Sequence, residues 1–79
     1  MTPAKMVIRN RIRELRFYKN EMTQQELADR IDLTRQTVIA IEQGRYSPSL
    51  EAAFKIAMVF NKPLEEVFIY ASCQDEVGD

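Results

Sequence analysis

Histidine is absent from the chain, and with it the commonest general base and metal ligand. Cysteine occurs once, at Cys73, so no intramolecular disulfide can form and no histidine stands ready to activate that thiol. Glycine occurs only at Gly44 and Gly78, which excludes a glycine-rich phosphate loop. Long apolar runs are missing as well. The longest, Ile56 to Phe60 and Val67 to Ala71, have five residues each, where a transmembrane helix needs about 20. The opening Met1-Thr2-Pro3-Ala4-Lys5 lacks the apolar stretch of a secretion signal. These absences speak against an enzyme, a metal site and a membrane span. They predict a soluble cytoplasmic domain that works without a cofactor.

What is present suits one small domain. The chain has 79 residues, of which 46% are apolar. A domain of this size buries only about 60% of its unfolded surface, so the core has to be compact. The net charge of −1 conceals two unlike halves. Residues 1–46 hold nine Lys/Arg against six Asp/Glu (+3), and residues 47–79 hold two against six (−4). An isoelectric point near 5.4 is low for a nucleic-acid binder. The basic half matters more than the total, because charge is screened within about 10 Å.

The pattern reads as five short helices with polar breaks. Asn10 is placed to cap a first helix running to about Lys19, with Ile12 and Leu15 inward and Asn20-Glu21 ending it. Thr23-Gln24-Gln25-Glu26 is a capping box, and Met22 and Leu27 are spaced as its hydrophobic staple. Leu27, Ala28 and Ile31 form the apolar stripe of this second helix. Asp32-Leu33 separates it from a third, capped by Thr34 and buried through Val38 and Ile41, with Gly44 as its left-handed stop. Ser49 caps a fourth, with Leu50, Ala53, Phe54, Ala57 and Phe60 expected inward. After Asn61-Lys62-Pro63, a short fifth carries Leu64, Val67 and Phe68. Met6-Val7-Ile8 and Phe68-Ile69-Tyr70 are β-prone, so the ends either pair as strands or fray. The acidic stretch from residue 71 or 72 to 79 reads as a solvated, disordered tail.

The second and third helices, joined by a tight turn, form a helix-turn-helix pattern, because the later helix has an unusually polar outward face. Ala28 is small where the two cross, and Leu27, Ile31, Val38 and Ile41 are the anchors. Asp32 occupies the left-handed turn position, which aspartate tolerates better than most residues.

The run Met22-Thr23-Gln24-Gln25-Glu26-Leu27-Ala28, continued by Leu33-Thr34-Arg35-Gln36-Thr37-Val38-Ile39-Ala40-Ile41-Glu42-Gln43-Gly44-Arg45-Tyr46-Ser47-Pro48-Ser49-Leu50, resembles the Xre family of Cro/repressor-type regulators. Residues 7–70 resemble its small cytolysin-operon-repressor-like members. The resemblance implies an all-α, five-helix, lambda-repressor-like domain whose chain ends pair as a two-stranded sheet. It also implies a homodimer on a near-palindromic operator in double-stranded DNA, with the third helix in the major groove. Two departures are Glu21, an extra residue between the first two helices, and Asp32 in place of the usual glycine.

Under this resemblance Arg35 and Gln36 occupy the turn that reaches base edges. Arginine suits guanine or a phosphate, and glutamine suits adenine. Thr37 and Ala40 offer methyl groups to thymine, while Ile39 meets thymine or packs on the second helix. Gln24 matches the family glutamine that holds a phosphate, and Thr34 adds a backbone contact to its capping role. Arg45, Tyr46 and Ser47 match residues lying along the DNA backbone, with a solvated loop as the alternative, and Ser47 is also placed to approach a base. Arg16 and Glu42 match a pair that ties the first helix to the third. Arg9, Arg11 and Arg13 read mostly as a solvated face, with a phosphate contact by one of them as the alternative. Leu64, Phe68 and Tyr70 are the expected dimer residues. A competing reading is an antitoxin or adaptor that acts mainly through a protein partner bound by the acidic C-terminal half.

Overall fold

Side-chain caps open three of the helices. In the computed structural model, which describes residues 6–72, the order is β1 (Met6–Asn10), α1 (Ile12–Tyr18), α2 (Gln24–Ile31), α3 (Arg35–Glu42), α4 (Leu50–Phe60), α5 (Leu64–Val67) and β2 (Phe68–Ser72). At α2 the capping box is complete: the Glu26 amide donates to Thr23 Oγ1 at 3.0 Å, and the Thr23 amide donates to Glu26 Oε1 at 2.8 Å. Thr34 accepts from the Thr37 amide at 3.2 Å, and Ser49 from the Ala52 amide at 3.1 Å. Each bond satisfies an amide that the helix leaves without an internal partner. Asn10 does not occupy the cap of α1. It is the last residue of β1 and supports the helix from one residue further back, accepting from the Ile12 amide at 3.1 Å.

Left-handed residues end the elements. Asn20 and Glu21 (φ 55° and 54°) stop α1, Asp32 (φ 62°) stops α2, and Asn61 (φ 55°) stops α4. Beyond Asp32 the Leu33 amide donates to the Ala28 carbonyl at 3.0 Å, closing the tight turn between α2 and α3. Asparagine and aspartate bear this conformation at less cost than other non-glycine residues. Gly44, at φ 75°, turns the chain after α3.

The core gathers Ile12 and Leu15 of α1, Met22, Leu27, Ala28 and Ile31 at α2, Val38 and Ile41 of α3, Ile56, Ala57 and Phe60 of α4, and Val67. Full burial of the larger side chains among these, Val, Leu, Ile, Met and Phe, stabilises by about 1.5–3 kcal/mol each. On α4 the expected inward face is corrected. Ala53, Ala57 and Phe60 are buried, but Leu50 is 67% and Phe54 49% exposed, and Ala52 and Ile56 take their places. α4 is apolar on nearly every side, so periodicity does not single out one face. α4 packs against α2, and its buried side combines Ala52, Ala53 and Ala57 with Ile56 and Phe60.

The chain ends pair. β1 and β2 are antiparallel, with Val7 opposite Ala71, Ile8 opposite Tyr70 and Asn10 opposite Phe68. The Arg11 amide donates to the Val67 carbonyl at 2.9 Å and continues the tie into α1 and α5. Ala71 and Ser72, grouped with the acidic tail by composition, belong to β2 opposite Val7 and Met6. The remaining tail, residues 73–79, lies outside the described residues. Among the described residues no helix is long and apolar enough to cross a membrane.

Candidate nucleic-acid interface

α3 buries one side and exposes the other. Val38 and Ile41 face the core, while Arg35 and Gln36 in the first turn are exposed and Thr37, Ile39 and Ala40 are half-buried. The Thr37 hydroxyl lies 3.0 Å from that of Thr34, so the two hydroxyls engage each other as well as the helix start. At 1.5 Å per residue the eight residues of α3 span about 12 Å, and an α-helix with its side chains, about 10–12 Å across, fits the width of the DNA major groove.

The opposite end of α3 is held firmly. Arg16 grips Glu42 with two hydrogen bonds, Nε to Oε2 at 2.6 Å and Nη2 to Oε1 at 3.1 Å. The side chains are only 14% and 8% exposed, and Arg16 Nη1 also donates to the Met22 carbonyl at 2.7 Å. A third element joins them, because Gln24 Nε2 donates to Glu42 Oε1 at 3.2 Å. Glu42 therefore binds the last turn of α3 to α1 and to the start of α2. The Gln24 amide is not idle: one of its two N–H groups is engaged here and the other is left for a phosphate.

A cleft of about 580 Å³ opens beside these groups, lined by Arg13, Gln24, Gln25, Arg35 and Gln43 among others. Among the described residues neither Arg13 nor Arg35 has an acidic partner within ion-pair distance. Two guanidinium groups from α1 and α3 thus open onto one concavity, which Glu21 and the Arg16-bound Glu42 also line. Sequence reasoning grouped Arg13 with Arg9 and Arg11, and the fold separates them. Arg11 pairs with Glu14 (3.2 and 3.1 Å) on the outer side of α1, and its hydrogen bond, followed by its charge, holds the Glu14 carboxyl below the usual value. Arg9 lies in β1 opposite Ile69. The signal for Arg13 was its spacing, one turn before Arg16 on the side of α1 that turns toward α3.

After α3, Arg45 Nε donates to Gln43 Oε1 at 2.8 Å, and Tyr46 and Ser47 are exposed. The three expected dimer residues divide. Leu64 and Phe68 are half-buried against the protein's own core, whereas Tyr70 is 70% exposed beside an exposed Ile8.

Comparison with known proteins agrees with this geometry. The family model described as Helix-turn-helix matches residues 12–67. An uncharacterized HTH-type transcriptional regulator of Archaeoglobus fulgidus is 49% identical over 63 residues, which is 80% of this chain and 87% of the relative. The uncharacterized HTH-type transcriptional regulator YgzD of Bacillus subtilis is 43% identical over 61 residues, covering 77% of this chain and 91% of the relative. The cryptic phage CTXphi transcriptional repressor RstR of Vibrio cholerae is 34% identical over 58 residues, covering 73% and 51% respectively. With anchors, turn and exposed third helix in place, the chain belongs to the Xre-type helix-turn-helix family of transcriptional regulators.

Proposed function

We propose that this chain is a sequence-specific regulator of transcription, a dimeric repressor that reads the major groove of a near-palindromic operator in double-stranded DNA. The observation that carries the reading is α3, whose first turn is exposed and polar while its last turn is clamped by Arg16 and Glu42. Gln36 reads an adenine edge, and Arg35 contacts a guanine or the phosphate beside it. Thr37, Ile39 and Ala40 meet thymine methyls and sugar. Gln24, Thr34, Arg45, Tyr46 and Ser47 lie along the backbone, and Arg13 joins them through the cleft it shares with Arg35. Residues 7–70 form the DNA-binding unit, completed by the strand residues that flank them. The reading requires no cofactor.

Selection of bound sequences from random duplex DNA tests the proposal. The expected product is an operator with two inverted half-sites, and recovery of no consensus overturns it. A protein partner is a second reading, favoured by the outward apolar row Leu50, Phe54 and Met58 on α4. A partner seated there would be lost in Phe54→Glu while DNA binding persists.

A further inference from the structure

Asn10 lies at the meeting point of three elements, and nothing in the reading of DNA contact requires it there. Its backbone ends β1 opposite Phe68. Its side-chain Oδ1 accepts from the Ile12 amide at 3.1 Å, at the start of α1. Its Nδ2 crosses to the far end of α3 and donates to the Ile41 carbonyl at 2.9 Å and the Glu42 carbonyl at 3.5 Å. The partners settle which way the amide points, because carbonyls only accept and a backbone N–H only donates. Aspartate would not serve, since it would set an oxygen against the negative end of the α3 dipole.

The mechanical consequence follows from where α3 is held. The Ile41 carbonyl also accepts from the Gly44 amide at 3.0 Å, so Asn10 adds a long-range tie where the local turn already closes the helix. Arg16 anchors the side chain of Glu42 from α1, and Asn10 anchors the main chain at Ile41 from the sheet. The reading end, with Arg35 and Gln36, projects beyond both. Over a helix of about 12 Å, a tilt of about 10° at the anchored end displaces the first turn by about 2 Å. That is most of a hydrogen-bond length, enough to misplace a bidentate contact to a base.

We propose that Asn10 is a positioning residue for base reading: its amide couples the terminal sheet to the pitch of α3, so that discrimination between operators depends on a side chain remote from the DNA-facing turn. The inference rests on α3 as the reading helix. It assigns the paired chain ends a role in recognition beyond covering apolar surface.

Two variants of the full chain test it. Asn10→Ser retains a short acceptor for the Ile12 amide but cannot reach α3, and Asn10→Asp retains the acceptor and loses the donor. In nitrogen–proton spectra of the free protein, Asn10→Ser shifts resonances along α3 as far as Arg35 and Gln36 and leaves α2 in place. Shifts confined to the neighbours of position 10 and Ile41 overturn the coupling. On DNA, both variants lose about tenfold discrimination between the selected operator and one altered at a base pair read by α3. Affinity for arbitrary duplex stays within about threefold of the parent, because phosphate contacts carry no sequence information. Equal loss of both affinities, in step with a lower melting temperature, identifies a residue of stability only and sinks the proposal. If the parent chain itself does not discriminate among duplexes, the DNA reading fails and the spectra alone decide the coupling.

Discussion

Gln36 and Gln24 carry the same side chain in different company, and their truncations separate reading from holding. Gln36 is exposed in the first turn of α3 with its amide free for a base, whereas the Gln24 amide donates to Glu42 at 3.2 Å. In competition assays on operators changed one pair at a time, Gln36→Ala loses about 1–3 kcal/mol of discrimination at one base pair per half-site. Gln24→Ala weakens every sequence by a similar factor and leaves their ranking intact. It also lowers the melting temperature, because Glu42 loses a charge-assisted hydrogen bond worth about 1.5–3 kcal/mol. Uniform weakening by Gln36→Ala would transfer the reading role to Arg35 or Ser47. Arg16 gives the larger stability effect. Its partner Glu42 has a side chain only 8% exposed, and Arg16→Ala leaves that carboxylate without its guanidinium at a cost of about 3–5 kcal/mol. Urea unfolding at constant slope measures it, and a loss under about 1 kcal/mol would mean that water replaces the arginine.

Individual elements show why pattern alone misassigned some surfaces. On α4 the apolar residues almost encircle the helix, and the buried side combines three alanines with Ile56 and Phe60 instead of gathering every bulky residue. Leu50 and Phe54 are left outside as a consequence. In α5 and β2 the reverse occurs, since Phe68 and Leu64 spend part of their surface on the protein's own core and leave Tyr70 as the exposed member of the dimer set. Tyr70→Glu should therefore give monomers in sedimentation equilibrium with the helical signal and melting temperature nearly unchanged. Phe68→Glu should combine dissociation with lower stability, because it carries a charge into a half-buried position. A dimer that persists in Tyr70→Glu places the interface elsewhere, with the Leu50–Phe54 side of α4 the next surface to vary.

At the scale of the whole molecule, charge is divided unevenly along the chain. The basic half contains α1 to α3, and the acidic half contains α4, α5, β2 and the tail. A net charge of −1 predicts weak long-range steering, with affinity supplied by local contacts instead. A dimer that contacts about 6–10 phosphates loses about 10³–10⁵ in affinity between 50 and 200 mM salt. Its half-site centres lie about one helical turn, or 34 Å, apart. Titration across a salt series on operators of varied spacing checks both expectations. A flat salt response, or indifference to spacing, contradicts a dimer docked through two copies of α3.

Apart from the cap of α1, which falls at Arg11 and not at Asn10, the local signals were legible in the sequence because their physics is local. Thr23 with Glu26, Thr34, Ser49, Gly44 and Asp32 act within a few residues of themselves, and each cap or left-handed stop follows from one side chain or one φ angle. The outward first turn of α3 was equally legible, since a buried pair at Val38 and Ile41 turns Arg35 and Gln36 to the outside. Arg16 with Glu42 came from resemblance to a family, not from spacing. The face of α4, the cleft shared by Arg13 and Arg35, the hold of Gln24 on Glu42 and the reach of Asn10 to Ile41 were decided only by tertiary structure. Those contacts join residues from separate elements, up to 31 positions apart, and depend on packing distances that no single segment encodes.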